Sequence, residues 1–176
     1  FDILKEKKIV RLDNKSDYRD YNYLIIPIFD EYANIIGICG RTLMSKEEIK
    51  LFGIPKYRNS SFEKKKYLFG LNNSIKNIIE KRSVWIVEGY FDQISMYKYG
   101  CNNSVCLGGT AFSNEHFLKL SRFCNKFNFI YDNDSAGLLN SERVFKKYSK
   151  YNINMNFYKL KDYKDIDEYL NDKKTL

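Results

Sequence analysis

Acidic side chains follow three hydrophobic runs in this 176-residue chain. Glu88 comes directly after Val-Trp-Ile-Val, and Asp132 and Asp134 come directly after Phe-Asn-Phe-Ile-Tyr. Asp165 and Asp167 come a few residues after Ile-Asn-Met-Asn-Phe-Tyr. Carboxylates held close together repel one another unless a cation neutralises them, and Mg²⁺ prefers oxygen ligands. If the three runs are neighbouring parallel strands, their acids meet at one sheet edge, and the sequence then predicts a divalent metal site.

Asp92 lies four residues after Glu88, so on a helix it returns to the same face, where it could bind metal or orient the ligands. Each acid also has an interpretation without metal. Asp-Asn-Asp-Ser-Ala-Gly is a good turn and helix cap, and Glu88 suits a helix N-terminus. The segment with Asp165 and Asp167 could be an exposed acidic–basic face. Glu88 and the Asp132 pair, both at strand ends, together favour the metal site.

A glycine-rich turn, Leu-Gly-Gly-Thr-Ala-Phe-Ser, spans Leu107–Ser113. Gly108 and Gly109 permit close approach of the backbone to a phosphate, or tight packing beside the metal site. A purely structural turn explains the motif equally well. We interpret His116, in the helix that follows, as a core or cap histidine without a catalytic role.

The first part of the chain reads as β-structure followed by a helix. Short apolar runs predict strands, with Asp-Glu-Tyr-Ala-Asn as the hairpin between the last two. Residues 43–70 have no steady period and predict loop with short elements. A helix is predicted after an Asn/Ser cap, because its isoleucines have helical spacing. The predicted strands are Lys8–Leu12, Tyr23–Phe29 and Asn34–Arg41, and the predicted helix is Asn72–Arg82.

From Val84 onward strands and helices alternate, which is typical of a parallel sheet with helices on both faces. We therefore predict an α/β fold with a mixed β/α lobe over residues 1–82 and a metal-binding catalytic lobe over 83–176. Ligands gather at the carboxyl ends of strands in such sheets. The predicted strands are Val84–Val87, Ser104–Leu107, Phe127–Tyr131 and Ile153–Tyr158, and the predicted helices are Tyr90–Tyr99, a Ser113-capped helix to about Asn125, Ser135–Lys150 and Asp167–Asn171.

The composition is typical of a folded globular protein and argues against disorder, a zinc site and a membrane-spanning segment. Hydrophobic residues make up 44% and charged residues 30%, so a packed core is expected rather than disorder. The net charge of +8 suits phosphate-rich partners, although a lysine-biased proteome explains it equally well. The four cysteines form no Cys-x-x-Cys pair and there is one histidine, which argues against zinc in this segment and for free thiols in a reducing cytosol. No signal peptide or run of about 20 apolar residues is visible. The start at Phe1 suggests a piece of a longer protein.

Three motifs, in order, resemble the Toprim domain shared by primases and topoisomerases. They are Glu-Gly-Tyr-Phe-Asp (Glu88–Asp92), Leu-Gly-Gly-Thr (Leu107–Thr110) and Tyr-Asp-Asn-Asp-Ser-Ala-Gly (Tyr131–Gly137). Upstream segments resemble the amino-terminal lobe of the DnaG-type bacterial primase core, which topoisomerases do not share. These segments are Leu24–Leu43, Pro55–Ser60 and Lys64–Leu71. The likeness runs from about Arg11 to about Leu170.

The resemblance implies a cytoplasmic DNA-directed RNA polymerase that makes short RNA primers on single-stranded DNA by metal-dependent nucleotidyl transfer. It implies nucleoside triphosphates and a replicative helicase, in cis or in trans, as further partners, with no membrane association. The implied cofactor is Mg²⁺ or Mn²⁺, with more than one ion possible and no zinc in this segment. The implied catalytic metal ligands are Glu88, Asp132 and Asp134, supported by Asp92, Asp165 and Asp167. The implied nucleotide or nucleic-acid contacts are Arg41, Lys56, Tyr57, Asn59 and Lys64, lining a basic groove between the lobes, together with Gly108 and Gly109.

The chain departs from the common primase pattern at three places. Asn133 stands where cellular primases often have glycine, Gly108 and Gly109 form a doublet, and Ile166 replaces a usual proline. These features favour a phage, plasmid or mobile-element origin. Two other functions remain open: a Toprim nuclease of the overcoming-lysogeny or ribosomal-RNA-maturation type, and a catalytically inactive primase-like binding module.

Overall fold

The computed structural model describes residues 23–176 of the chain. Two compact units divide the chain between residues 63 and 64. The predicted strand Lys8–Leu12 lies outside the described residues. Within them, the alternation of strands and helices follows the sequence prediction closely.

The first unit contains an antiparallel sheet in the order β1-β2-β3. The predicted hairpin is confirmed, and Ile26 of β1 lies opposite Cys39 of β2, both of them buried. The Asp30 carboxylate closes the turn by accepting hydrogen bonds from the backbone of Tyr32 and Asn34, both at 2.9 Å. The elements are β1 (Tyr23–Phe29), β2 (Ile35–Thr42), α1 (Lys46–Phe52) and β3 (Tyr57–Asn59).

The second unit is built on a parallel four-stranded sheet in the order β5-β4-β6-β7. All three strand pairs are parallel, which confirms the predicted α/β fold. A short 3-10 helix (Lys64–Lys66) precedes the sheet. The elements are α2 (Leu71–Lys81), β4 (Ser83–Val87), α3 (Tyr90–Lys98), β5 (Ser104–Cys106), α4 (Asn114–Leu120), β6 (Lys126–Ile130), α5 (Ser135–Tyr148), β7 (Asn154–Tyr158) and α6 (Ile166–Lys173).

Helix α2 belongs to the second unit, whereas the sequence placed the lobe boundary near residue 82. Leu71 and Ile78 of this helix are buried in the same core cluster as Val84 and Phe127 of the sheet. The Ser74 hydroxyl also donates a hydrogen bond of 2.8 Å to the Ser104 carbonyl in β5. The division in the structure therefore lies earlier, because burial of the apolar face of α2 ties it to the parallel sheet.

The start of helix α2 and the end of helix α4 differ from the prediction. Helix α2 begins after Gly70, which has a φ of 82° and provides no side-chain cap, so the predicted Asn/Ser cap is wrong. Ser113 caps α4 as predicted, and its hydroxyl accepts from the His116 amide at 3.0 Å. That helix ends at Leu120 rather than near Asn125, because the chain turns there and buries Cys124 before β6 begins.

All four cysteines are buried free thiols, as predicted. Burial raises the pKa of the Cys101 and Cys124 thiols to about 11, because the charged thiolate is disfavoured away from water. Within residues 23–176, no helix combines the length and apolar character that crossing a bilayer requires.

Candidate metal centre

Strands β4, β6 and β7 are neighbours, and their carboxyl ends meet at one edge of the sheet. Val87 pairs with Ile130, and Ile130 with Tyr158. Glu88 directly follows β4, and Asp132 follows β6 after one intervening residue. The convergence that the sequence predicted for these acids therefore occurs. We call Glu88, Asp92, Asp132, Asp134 and Asp165 the acidic edge.

Glu88 is partly buried, and one of its carboxylate oxygens has no partner among residues 23–176. Burial raises its pKa, and the charges of Asp132 and Asp134 raise it further, while a hydrogen bond from the Asp132 backbone acts in the opposite direction. Oε1 is buried and has no hydrogen-bond partner among the described residues. An unpaired buried carboxylate oxygen is costly. A cation at this position would remove that cost, so the residue fits a metal ligand.

The loop after β6 is held in place by backbone and capping contacts. Asp134 caps α5 by accepting a 2.8 Å hydrogen bond from the Gly137 amide. The helix cap that the sequence suggested for this segment is therefore present. The Asn133 amide donates to the Lys164 carbonyl at 3.0 Å, which joins this loop to the segment before α6. Burial raises the Asp132 pKa, followed by the charge of Asp165, and the Lys164 charge lowers it.

Gly137 allows helix α5 to start against the Asp132 backbone. A Cβ atom at this position would lie 2.2 Å from the Asp132 carbonyl oxygen, closer than any real contact allows. Absence of a side chain here therefore fixes where Asp132 and Asp134 sit relative to the helix.

Asp92 connects the turn after β4 with the start of α6. It is 7% exposed, and its carboxylate accepts from the Gly89 amide at 2.9 Å and from the Asp167 amide at 3.3 Å. Burial, followed by the charges of Asp165 and Asp132, raises its pKa to about 7, although the two hydrogen bonds act in the opposite direction. Its contacts match the orienting role that the sequence allowed for it.

The two acids around α6 behave differently. Asp165 caps the helix by accepting from the Glu168 amide at 2.9 Å, and its charge raises the pKa of both Asp92 and Asp132. The Asp167 carboxylate instead accepts from the Ser95 hydroxyl and from the Asn171 side-chain amide, the latter at 2.9 Å. The contact with Ser95 joins α3 to α6, whereas the contact with Asn171 lies within α6. Sequence reasoning missed Ser95, although its position three residues after Asp92 places it on the same side of α3.

The glycine turn after β5 packs directly on the backbone of Glu88. The Gly109 amide donates to the Glu88 carbonyl at 3.3 Å, and the Cys106 thiol donates to the same oxygen at 3.2 Å. Gly108 and Gly109 have φ values of 63° and 76°, which favour glycine. A Cβ atom at Gly108 would lie 2.8 Å from the Tyr90 hydroxyl. These contacts are the tight packing beside the candidate metal centre that the sequence allowed for Gly108 and Gly109.

Lys64 and His116 join the 3-10 helix to this turn. The Lys64 ammonium donates to the Gly108 carbonyl at 3.2 Å. His116 is buried, and its Nε2 lies 3.2 Å from the Lys64 carbonyl and 3.1 Å from that of Tyr67, while Nδ1 accepts from the Ser113 amide. A neutral ring protonated on Nε2 satisfies all three contacts, and burial lowers the His116 pKa. The interpretation of His116 as a core histidine is confirmed.

Four further predicted contact residues lie together in the first unit. Arg41 of β2 pairs with Tyr57 of β3, and Asn59 pairs with Cys39. The Arg41 guanidinium and the Lys56 ammonium lie 6.0 Å and 5.7 Å from the centre of the Tyr57 ring. The structure thus brings Arg41, Tyr57 and Asn59 to the antiparallel pair of β2 and β3, with Lys56 directly before β3.

The acids do not form a finished ligand cage. Across residues 23–176, no group of three or more His, Cys, Asp or Glu side chains has the geometry that holds a metal ion. The fit to a divalent cation rests instead on the Glu88 oxygen that has no partner among these residues, and on neighbouring carboxylates that raise the pKa of Glu88, Asp92 and Asp132.

Known proteins resemble this chain both in sequence and in structure. Residues 85–170 match the family described as Toprim-like. A DNA primase from Clostridium acetobutylicum is 36% identical over 172 residues, which cover 95% of this chain and 28% of the relative. The Aquifex aeolicus primase structure, containing zinc-binding and RNA polymerase domains, has a TM-score of 0.79 and 28% identity, covering 98% of this chain and 45% of that one.

A third match is the structure of a DnaG primase catalytic domain bound to single-stranded DNA. Its TM-score is 0.76 and its identity 25%, and the match covers 97% of this chain and 56% of that one. This chain therefore spans only part of each relative it matches. It belongs to the family of DnaG-type DNA primases, with residues 85–170 as its Toprim domain.

Proposed function

We propose that this chain is the catalytic core of a primase, a DNA-directed RNA polymerase that makes short RNA primers on single-stranded DNA. Its main support is the acidic edge, where Glu88, beside Asp132 and Asp134, has a buried oxygen without a hydrogen-bond partner in the described part of the chain. The likeness to DNA primases across nearly the whole chain supports the same reaction.

Glu88, Asp132 and Asp134 are the residues that would hold Mg²⁺ or Mn²⁺, and more than one ion is compatible with so many acids. The bound cation would polarise the α-phosphoryl group, lower the pKa of the attacking 3′-hydroxyl and stabilise the departing pyrophosphate. Asp92 would keep the turn after β4 in register with α6, through its hydrogen bonds to the Gly89 and Asp167 amides. Asp165 would add charge to the edge, whereas Asp167 would support it from the interface of α3 and α6.

Basic and aromatic residues of both units would bind the anionic partners. The Lys64 ammonium, beside Gly108, would neutralise part of the triphosphate charge. The Arg41 guanidinium would bind a phosphate through two parallel hydrogen bonds. Tyr57 would stack on a base, a contact worth roughly 1–3 kcal/mol in single-strand binders. Lys56 and Asn59 would complete the surface around Tyr57.

Partners and location follow from the same proposal. The DnaG domain bound to single-stranded DNA supports a DNA template, with nucleoside triphosphates as substrates and a replicative helicase in cis or in trans. Activity would take place in the cytoplasm of a bacterial or phage-infected cell. The origin in a mobile element still rests on Asn133, the glycine doublet and Ile166.

Incubation with a single-stranded template, labelled ribonucleotides and Mg²⁺ or Mn²⁺ tests the function. Elongated labelled products, lost in Glu88→Gln and Asp132→Asn, support the primase. Shortened DNA or RNA would show a Toprim nuclease instead. Full biological activity in both variants would identify a non-catalytic binding module. Glu80→Gln, on the exposed side of α2, is the matched control and should leave the products unchanged.

A further inference from the structure

A pocket of about 420 Å³ opens beside the acidic edge, between the first turns of α5 and the end of β7. Asp132 and Asp134 form the side that faces the candidate metal centre. The remaining wall includes Leu138, Ser141, Phe157 and Lys159. None of these four residues is among the candidate site residues that the sequence indicated.

Apolar groups dominate the far wall of this pocket. Leu138 is 64% exposed, so its side chain is free to contact a ligand that enters. The Phe157 ring is held in place by stacking on Phe129, with ring centres 4.9 Å apart. The Ser141 hydroxyl donates to the Gly137 carbonyl at 3.0 Å, so its oxygen is still able to accept a hydrogen bond. A ligand with a flat, largely apolar ring that carries few polar atoms would therefore fit against this wall.

Tyr131 gives a second, independent observation. It also lines the pocket, it is 6% exposed, and its hydroxyl has no hydrogen-bond partner among the described residues. Buried hydroxyl groups are normally paired, because an unpaired one loses its bond to water without compensation. An orphaned hydroxyl next to an open pocket is typical of a site that gains its partner from a ligand.

We infer that this pocket binds the nucleoside of a nucleoside triphosphate whose phosphates lie at the acidic edge. The inference rests on the proposed function and names a place for its substrate. The volume falls within the range of about 300–1,000 Å³ that small-molecule sites occupy. One lysine beside two carboxylates offers little attraction to a nucleic-acid strand, whereas a nucleotide brings its own cation.

Two exposed leucines of α5 provide a matched pair of variants. Leu138 lines the pocket, whereas Leu139, 51% exposed on the same helix, does not. Titration calorimetry with Mn²⁺ and either ATP or inorganic tripolyphosphate compares Leu138→Ala, Leu139→Ala and the unchanged chain. Leu138→Ala should weaken ATP binding about three- to tenfold, because apolar contact with the base is lost. Tripolyphosphate binding should stay the same in Leu138→Ala, and Leu139→Ala should change neither ligand.

Each other outcome overturns the inference. Equal weakening of ATP and tripolyphosphate in Leu138→Ala would mean that the substitution disturbs the acidic edge rather than a nucleoside contact. Equal ATP affinity in Leu138→Ala and Leu139→Ala would refute the assignment of the pocket to the nucleoside, while leaving the proposed function intact. Weakened binding of a single-stranded oligonucleotide, with ATP unaffected, would assign the pocket to a strand. Failure of the unchanged chain to bind either ligand with Mn²⁺ would refute the proposed function itself.

Discussion

At the scale of single residues, the acidic edge concentrates negative charge where burial already disfavours it. The pKa values of Glu88, Asp92 and Asp132 are all raised, and burial is the first cause in each case. Such a site is unfavourable in the empty protein and favourable when a divalent cation is bound. Stability and metal binding should therefore respond in opposite directions to loss of one charge.

Glu88→Gln should raise the melting temperature of the metal-free chain at pH 8, because the amide removes a partly buried charge beside Asp132. The same change should abolish the rise in melting temperature that Mn²⁺ produces in the unchanged chain. Differential scanning calorimetry with and without Mn²⁺ measures both effects. Glu80→Gln, at an exposed position, is the control: its melting temperature without metal and the rise produced by Mn²⁺ should both match those of the unchanged chain. An unaltered response to Mn²⁺ in Glu88→Gln would exclude Glu88 as a ligand.

Gly137→Ala should destabilise the second unit by about 1–3 kcal/mol, the usual cost of forcing extra volume into a packed site. The new Cβ would collide with the Asp132 carbonyl oxygen and push that loop away from Glu88. Mn²⁺ affinity should fall together with stability. Urea denaturation and a Mn²⁺ titration provide the two measurements.

Gly100→Ala is the control for Gly137→Ala. Gly100 has a φ of 86°, and a Cβ atom added there would meet no other atom within 4 Å, so the substitution costs backbone strain without a collision. It should lose stability without losing Mn²⁺ affinity. Equal loss of Mn²⁺ affinity in both variants would show that Gly137 does not act through Asp132.

At the scale of elements, the acids depend on how α3 and α6 meet. Asp92 accepts hydrogen bonds from the turn before α3 and from the first turn of α6, and Ser95 of α3 donates to Asp167 of α6. Two helices far apart in the chain are thus joined by polar contacts beside the acidic edge.

Stability of the metal-free second unit should fall as the pH rises from 6 to 8. The Asp92 pKa is raised from 3.8 to about 7, so the folded state holds this proton more tightly than the unfolded chain does. The contribution of Asp92 to stability is complete below its pKa in the unfolded chain, and it is lost as the pH rises through its pKa in the folded state. Between pH 6 and 8 this loss lowers the free energy of unfolding by roughly 1–2 kcal/mol. Urea denaturation at each pH measures the fall, and saturating Mn²⁺ should remove it.

Asp92→Asn should flatten this pH dependence, whatever its effect on stability at a single pH. His116 affects the pH dependence of stability in the opposite direction. Its pKa is lowered in the folded state, so stability falls as the pH drops below about 6.5 and the ring begins to bind a proton in the unfolded chain. Measurements above pH 6.5 therefore isolate the carboxyl groups. An unchanged slope in Asp92→Asn would assign the effect to Glu88 or Asp132.

The alternation of apolar strands with helical segments predicted the strands and α-helices of the second unit, although α3 buries Asp92, Gln93 and Ser95 and so has no clear apolar face. It also predicted that Glu88 and Asp132 meet, since parallel strands end at a common edge. It could not reveal that the Asp167 carboxylate contacts Ser95, because side-chain direction depends on the packing of α3 against α6. Helix α1 was missed because its short, polar sequence buries no residue.

At the scale of the whole molecule, the chain is organised as two units, and the boundary follows burial rather than motif order. The sequence placed it near residue 82 because the alternation of strands and helices begins at Val84. The structure shows that Leu68, Leu71 and Ile78, all upstream of that point, are buried in the core of the parallel sheet. Core packing of this kind cannot be read from spacing alone.

A chain of residues 64–176 should unfold cooperatively, whereas one of residues 83–176 should not. Loss of Leu68, Leu71 and Ile78 removes roughly 5–9 kcal/mol of apolar burial, comparable with the whole stability of a small domain. The backbone hydrogen bonds between Phe69 and Cys106 would be lost as well. Urea denaturation followed by circular dichroism compares the two chains. A steep single transition in residues 83–176 would contradict a boundary at residue 64.

Burial of every native thiol has a practical consequence for spectroscopy. Maleimide reagents attack the exposed thiolate, and Cys39, Cys101, Cys106 and Cys124 are all shielded, two of them with a pKa near 11. A single cysteine engineered in place of the exposed Leu139 would therefore take up a fluorophore or spin label selectively. Native residues need not be replaced first, and the thiol of Cys106 beside Glu88 stays intact while substrate arrival is followed in real time.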